Sequence, residues 1–394
     1  MVLRPSERFE KMENPAAREI FKMLDLPGVI SFAGGFPSND SLPAREMEML
    51  AGEILARDGT GVLQYGPVAG YGPLLENISA WLQKSKKITA APAEVLITSG
   101  SQQALDLIGK LCLEEGDLVA VEEPTYLTAL QTFNSYRVRF LPIPCDGEGM
   151  QVDVLEKSLA ACRPKFVYTV ATFQNPTGVS LGVDRRERLL RLAEEHGFHL
   201  IEDNAYGDLC YEGEEPPALK SLDRKGRVVY LGSFSKIISP GLRVGYMVAD
   251  RETRAKAAVV KQVLDVHTSN LSQRIVCEFL SRGCLEPHLE NIRAGYLRKR
   301  DAMLEALKRH LPRQAEWTRP RGGFFIWVRL PGAFDSGKAL PEAILRGMAF
   351  VPGKAFFTRD GGQNSLRLSF SGSTPEQIHR GIEILGGLIR DYGW

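Results

Sequence analysis

Lys236 has neighbours that suggest covalent chemistry. It lies in the stretch from Gly232 to Tyr246 (GSFSKIISPGLRVGY), among Ser233, Ser235 and Ser239, with Arg243 beyond it and the apolar run RVVYL just before. A run of that length and β-rich composition reads as a buried strand, and the Ser/Gly-rich turn at its end gathers hydroxyls, backbone N–H groups and one guanidinium. Such donors suit a phosphate dianion, and a lysine among them is placed to form a Schiff base. The group that fits is a phosphorylated aldehyde, pyridoxal 5′-phosphate. Two other readings compete. Ser233 and Lys236 match the S-x-x-K pattern of serine β-lactamases and penicillin-binding proteins, but the S-D-N and K-T-G companions are missing from the sequence. The other is a solvated lysine in a Ser-rich loop, the ordinary state of a single lysine, so the rest of the chain must decide.

Pyridoxal phosphate requires a lysine amine for its aldehyde, an anion for its pyridine nitrogen, a donor for O3′, and cationic and neutral donors for its phosphate. In the same order, the sequence offers Lys236, then Asp203, then Asn175 with Tyr206, then Ser101, Gln102, Ser233, Ser235 and Arg243. Asp203 ends the largely apolar run FHLIED, where partial desolvation favours pairing with a pyridinium; an N-cap is its alternative. Tyr206, three residues on, is expected to share a helical face with Asp203, or else to be a core tyrosine. Arg367 in NSLRLSF alternates with Leu366 and Leu368. An inward arginine there would take a substrate α-carboxylate as a two-bond fork; an exposed strand edge is the alternative.

The elements that must position these residues follow a repeating pattern. Short apolar runs, EVLITSG, DLVAV, RVRFLPI, KFVYTVATF, FHLIED and RVVYLGS, are separated in several places by amphipathic helical stretches such as RRERLLRLAEEHG. This alternation predicts a mostly parallel sheet of the α/β class with helices on both faces, whose ligands bind beyond the carboxyl ends of the strands. Tyr126, Asn175, Asp203 and Lys236 each follow such an end. The turn from EVLITSG into SQQALDL presents N–H groups and the positive end of a helix, a second phosphate-binding candidate. Gly70 and Gly72 form a G-x-G pair, but Leu75 stands where a dinucleotide fingerprint needs its third glycine. Beyond about residue 285 a long charged helix precedes RPRGGFFIWVRL and NSLRLSFS, the pattern of a smaller α+β domain. The expected division is an N-terminal arm and helix over 1–42 that belongs with the small domain and the substrate side, a large cofactor-binding domain over 43–284, and the small domain over 285–394.

Composition narrows the function. With 394 residues, 44% hydrophobic and 25% charged, the chain can bury a large core. Lys+Arg 49 against Asp+Glu 48 leaves a net charge of +1, so no general basic field points to nucleic acid or to an anionic membrane. The six cysteines have no metal-like spacing, no metal site is expected, and reduced, mostly buried thiols in a cytoplasmic protein explain them. The N-terminus lacks a hydrophobic signal core, and no apolar run reaches membrane-spanning length.

In the order SFAGGFP, LQYGP with GYGPL, TSGSQQALDL, FQNPTG, EDNAY, LGSFSKIISPGLRVGY, RPRGGFFIWV, FVPG and NSLRLSF, the chain resembles the fold-type I pyridoxal-phosphate aminotransferases of class I/II. It is similar above all to their 2-aminoadipate (LysN-like) and kynurenine aminotransferase II branch, over nearly its whole length. The resemblance implies a seven-stranded sheet and a homodimer with shared active sites. It also implies Tyr126 stacked on the ring and Tyr65 reaching the phosphate of the neighbouring subunit's cofactor. Gly35, Asn175 and Tyr65 are implied to border the substrate, and Arg18, in the N-terminal helix, to contact the side-chain carboxylate of acidic substrates. Asn204 departs from near relatives, which often carry a second acid there. The expected reaction moves the amino group of an L-amino acid, 2-aminoadipate or a broad acidic, aromatic and aliphatic set, to 2-oxoglutarate by a ping-pong route through Lys236. A lyase or decarboxylase on the same scaffold is the alternative. A MocR-like effector-binding regulator is more remote, because those proteins add a winged helix and linker before this region.

Overall fold

The computed structural model describes residues 4–6, 9, 27–332 and 334–393. Arg18 and the rest of the expected N-terminal helix around it lie outside the described residues. After β1 (Ile30–Ser31), the large sheet is made of β2 (Val95–Thr98), β3 (Leu118–Glu123), β4 (Arg139–Asp146), β5 (Gly149–Met150), β6 (Phe166–Thr169), β7 (His199–Asn204), β8 (Val228–Ser233) and β9 (Gly245–Val248). Their spatial order is β2-β9-β8-β7-β6-β3-β4-β5. β4, β3, β6, β7 and β8 are mutually parallel, β9 runs antiparallel between β8 and β2, and the two-residue β5 prolongs the edge of the seven longer strands.

Burial on both faces accounts for the continuous apolar runs of these strands. Val119, Val121, Phe166, Tyr168 and Ile201 share one core cluster with Leu105, Leu107 and Ile108 of α1 (Ser101–Cys112) and Phe133 of α2 (Leu127–Asn134). The alternate residues Ala120, Val167 and Leu200 join Leu155 of α3 (Val152–Leu159) and Leu189 and Leu192 of α4 (Val183–His196) on the opposite face. The strand expected over 165–173 stops at Thr169, because its next groups bond to a side chain instead of to a neighbouring strand. Thr169 Oγ1 and Val170 N donate to the Glu122 carboxylate at 2.7 and 3.1 Å, and Phe173 is left-handed at φ 49°.

The antiparallel sheet β10-β11-β14-β13 is made of β10 (Glu316–Trp317), β11 (Phe325–Arg329), β13 (Val351–Pro352) and β14 (Ser365–Ser369). Two long helices, α5 (Leu285–His310) and α6 (Pro375–Asp391), contribute apolar residues to the core it shares. β1 pairs in parallel with β12 (Met348–Ala349), which attaches the chain around residue 30 to this C-terminal region. All six cysteines are free; Cys277 is buried and the other five are partly exposed, which corrects the expectation of mostly buried thiols. Among the described residues no helix is long and apolar enough to cross a membrane.

Candidate active site

A cavity of about 170 Å3 opens at the carboxyl ends of β6, β7 and β8. Asp203, Lys236, Ser233, Ser235, Arg243, Ser101, Gln102, Tyr126, Asn175 and Tyr206 all line it, so sequence positions more than a hundred residues apart meet in one place. Phe36, Gly100, Val170, Ala205 and Pro240 also line it; Ala205 and Pro240 stand in stretches read from the sequence but, like Phe36 and Val170, carry no assigned role there. Phe36 could have been found by its place next to Gly35 in the turn-rich SFAGGFP; Val170 and Ala205 carried no signal beyond adjacency to a strand end.

The phosphate end rests on two turns. Gly100, left-handed at φ 86°, leads into α1, whose first N–H groups have no partner within the helix. Arg243 is also left-handed, at φ 53°; its Nη2 donates to the Ser99 carbonyl at 2.9 Å and its Nη1 reaches Ser235 Oγ at 3.4 Å. The guanidinium lies so near Gly100 that a Cβ there would stand 2.5 Å from Nη2, a contact only glycine avoids. Ser235 N donates to Ser233 Oγ at 3.2 Å, and Gln102 Nε2 donates to Thr132 Oγ1 at 2.5 Å while Gln102 Oε1 is buried without a partner among the described residues.

At the other end of the cradle, Asp203 Oδ2 accepts from Tyr168 Oη at 3.0 Å, and Oδ1 is buried with no hydrogen-bond partner among the described residues. Burial raises its pKa to about 6, while the Tyr168 hydrogen bond and the Lys236 charge hold it down. An orphaned carboxylate oxygen is costly in a protein interior and suits a cationic N–H supplied from outside the chain. Contrary to the expected shared helical face, Tyr206 does not lie on a helix with Asp203. β7 ends at Asn204, whose Oδ1 accepts from Gly207 N at 2.9 Å, and this side-chain turn brings the Tyr206 ring edge-on to Phe324 and Phe325. Burial pushes the phenols of Tyr206 and Tyr126 up, so both are held as donors.

Lys236 Nζ donates to the Gly35 carbonyl at 2.8 Å. Burial, reinforced by the charges of Arg243 and Arg367, lowers its pKa from 10.5 to about 8, so the neutral, nucleophilic amine becomes accessible just above neutral pH. A Cβ on Gly35 would come within 2.7 Å of Phe325 Cζ, which explains the glycine.

Arg367 is buried, not on an exposed edge. Its Nη1 donates to Asn175 Oδ1 at 2.8 Å, Nη2 donates to the Ala33 carbonyl, and Nε is buried without a partner among the described residues. The guanidinium lies 4.3 Å from the Phe325 ring and 5.0 Å from the Phe356 ring, and burial lowers its pKa to about 10, leaving it charged. Phe325 and Phe356 therefore belong both to the core and to the wall around this arginine.

Tyr65 stands apart from the cavity. It is 79% exposed and touches His267 edge-on at 5.7 Å. Arg18 lies outside the described residues.

A family model for class I and II aminotransferases matches residues 27–385. Among curated relatives, the 2-aminoadipate transaminase of Thermus thermophilus is 42% identical over 392 residues, covering 98% of this chain and 97% of that one. The aromatic-amino-acid aminotransferase 1 of Thermococcus litoralis is 40% identical over 391 residues, covering 98% and 94%. The solved structure of a Pyrococcus horikoshii kynurenine aminotransferase, in complex with PMP, superposes with a TM-score of 0.95 at 42% identity and covers 99% of this chain and 98% of that one.

Proposed function

Because this chain belongs to the class I and II aminotransferases and is a pyridoxal-phosphate enzyme of fold type I, we propose that it moves the amino group of 2-aminoadipate and of aromatic L-amino acids to 2-oxoglutarate by a ping-pong route. The observation that carries this reading is the position of Lys236. Its amine lines the cradle beside Asp203 and the phosphate-binding turns, and bonds to Gly35 next to the segment that holds Arg367. A base between a ring site and a carboxylate site is what proton transfer at an amino acid Cα needs.

The residues fit the cofactor. The orphaned Asp203 Oδ1 suits the pyridine nitrogen, Tyr206 and Asn175 suit O3′, Tyr126 suits the ring, and Ser101, Gln102, Ser233, Ser235 and Arg243 suit the phosphate. When bound, the cofactor supplies an electron sink for the Cα–H bond. Lys236 would hold it through its amine and, when that amine is free, would serve as the base at Cα. Arg367, with Nε free and its fork fixed by Asn175 and Ala33, takes the α-carboxylate, while Gly35 leaves room for the substrate. By resemblance, Arg18 takes the side-chain carboxylate of acidic donors.

A homodimer completes the reading. Leu63 at 71% and Tyr65 at 79% exposure, and Val263 at 85%, are large apolar groups left for a second copy to cover, and Tyr65 is proposed to reach the partner's phosphate site. We assign residues 43–284 to the cofactor-binding unit and 285–394, with 1–42, to the substrate side. The free cysteines suit a reducing compartment, so we place the enzyme in the cytoplasm.

The test is the absorbance spectrum of the holoenzyme before and after 2-aminoadipate, repeated on Lys236→Ala and Arg18→Ala. The visible cofactor band should bleach with the donor, return with 2-oxoglutarate, and be lost or displaced in Lys236→Ala. Arg18→Ala should weaken 2-aminoadipate more than phenylalanine. Release of ammonia in place of bleaching would overturn the transamination reading in favour of a lyase.

A further inference from the structure

The two oxygens of Asp203 have different surroundings. Oδ2 accepts from Tyr168 Oη at 3.0 Å, and Oδ1 is buried, without a hydrogen-bond partner among the described residues, and part of a side chain that lines the cavity. Tyr168 is fully buried and lies on β6, directly paired with β7, where it stands opposite Ile201, two residues before Asp203. The Phe133 ring meets Tyr168 edge-on at 5.6 Å and meets Phe166 at 5.3 Å, so packing fixes the phenol ring and the direction of its hydroxyl. Burial keeps the proton on Tyr168, with the charges of Asp203 and Glu122 acting in the same sense, so it is a donor at every working pH.

We propose that Tyr168 is a positioning residue for the cofactor: its hydroxyl occupies Oδ2 and leaves Oδ1 alone to face the pyridine nitrogen. The proposal rests on the reading of Asp203 as the ring's anion. Burial and the charge of Glu122 pull Asp203 towards its protonated form, against which only the Tyr168 bond and the Lys236 charge act. The Lys236 charge is lost once its amine is neutral, which leaves the phenol as the constant influence. A protonated Asp203 could not hold a proton on the ring nitrogen, and the electron sink would weaken. Tyr168 itself does not line the cavity and acts through Asp203.

The experiment is ¹⁵N NMR of the holoenzyme loaded with ring-¹⁵N pyridoxal phosphate, titrated across the neutral range, for the native chain, Tyr168→Phe, Asp203→Asn and Phe133→Leu. A hydrogen bond to a charged group is worth enough that Tyr168→Phe should lower the proton affinity of the ring nitrogen about tenfold or more. kcat should fall by a similar factor, with KM and donor preference unchanged. Asp203→Asn should lose the protonated resonance altogether. Phe133→Leu, which loosens the packing but keeps the hydroxyl, should retain it. If Asp203→Asn moves the resonance and Tyr168→Phe does not, the role of Tyr168 is overturned while the reading of Asp203 survives. If neither moves it, both fall. An equal shift in Phe133→Leu and Tyr168→Phe would make packing, not the hydrogen bond, the cause and would also overturn the proposal.

Discussion

The groups proposed for the cofactor follow strands of one sheet, from Ser101 after β2 to Lys236 and Arg243 after β8. The substrate side is gathered from Ala33–Phe36, from Asn175 and from Phe325, Phe356 and Arg367 in the C-terminal sheet region. The first set is fixed by strand register, parallel from β3 through β6 and β7 to β8 and antiparallel at β9 and β2, and by buried bonds such as Tyr168 to Asp203. The second depends on contacts between segments distant in sequence: Lys236 to the Gly35 carbonyl, and Arg367 to the Ala33 carbonyl. A fold built this way can keep one ring chemistry while the groups that meet the donor change. Changes on the cofactor side should therefore alter every donor alike and alter the spectrum, whereas changes on the substrate side should act mainly through KM.

The largest effect is expected at Asp203. Removing one partner of a buried ion pair costs about 3–5 kcal/mol, so Asp203→Ala should lower kcat by a factor of order 10²–10³. Steady-state kinetics with 2-aminoadipate and with phenylalanine should show the same factor for both. A loss confined to one donor would break the division between the two sides.

Lys236 tests what the cofactor side costs the protein when it carries no ligand. Its pKa falls from 10.5 to about 8 on folding, so the buried amine favours folding least when it is charged. The penalty is full below about pH 8, shrinks as pH rises from there and is gone above 10.5, where the amine is neutral in both the folded and the unfolded chain. Apoenzyme carrying Lys236→Met should therefore gain on the order of 2–3 kcal/mol near pH 7, with the gain fading towards pH 10. Denaturant midpoints of the two apoenzymes at several pH values measure it. A gain that does not change with pH would mean that packing, not charge burial, separates them.

Arg367→Lys sharpens the other half of the comparison. Lysine keeps a charge but cannot reproduce the planar fork held by Asn175 and Ala33 or its stacking between Phe325 and Phe356. The loss of about 2 kcal/mol should appear as a 10- to 100-fold lower kcat/KM, mostly in KM, with the cofactor band unmoved. A displaced band would place Arg367 on the cofactor side.

The sheet and much of the cofactor side could be read in the sequence because apolar runs of strand length end in conspicuous polar residues, and in a parallel sheet those ends share one edge. Lys236, Asp203 and Asn175 were found this way. Tyr168 was not, since within KFVYTVATF it looks like any core aromatic, and only the pairing of β6 with β7 puts its hydroxyl on Asp203. Glu122 and Glu123 were missed for a similar reason. Two adjacent acids at a strand end read as a solvated turn, yet both are buried; Glu122 gathers Thr169, Val170 and Gln174, while Glu123 reaches residues more than two hundred positions away. The helical placement of Tyr206 failed because the Asn204 side chain closes a turn instead of starting a helix. The exposed Tyr65 had no local signal at all; its role came from resemblance.

Glu123 is where the two sides are joined. Glu123 Oε1 accepts from Thr358 N at 3.1 Å and Thr358 Oγ1 at 2.7 Å, Oε2 accepts from Arg359 Nε at 2.8 Å, and Thr125 N donates to the Phe356 carbonyl at 3.0 Å. These bonds fasten the end of β3, just before Tyr126, to the stretch that carries Phe356 against Arg367. The Arg359 side chain is 62% exposed, so its ion pair contributes little; the Thr358 bonds to a buried carboxylate matter more. Glu123→Gln keeps an oxygen for Thr358 and should raise KM only about twofold, within the range of a weak surface pair. Glu123→Ala leaves the Thr358 N–H and hydroxyl without their acceptor and should raise KM roughly five- to tenfold, about 1 kcal/mol, at nearly constant kcat and with the cofactor spectrum unchanged. If kcat falls in Glu123→Ala while KM stays put, the link serves Tyr126 and the ring, and the join belongs to the cofactor side.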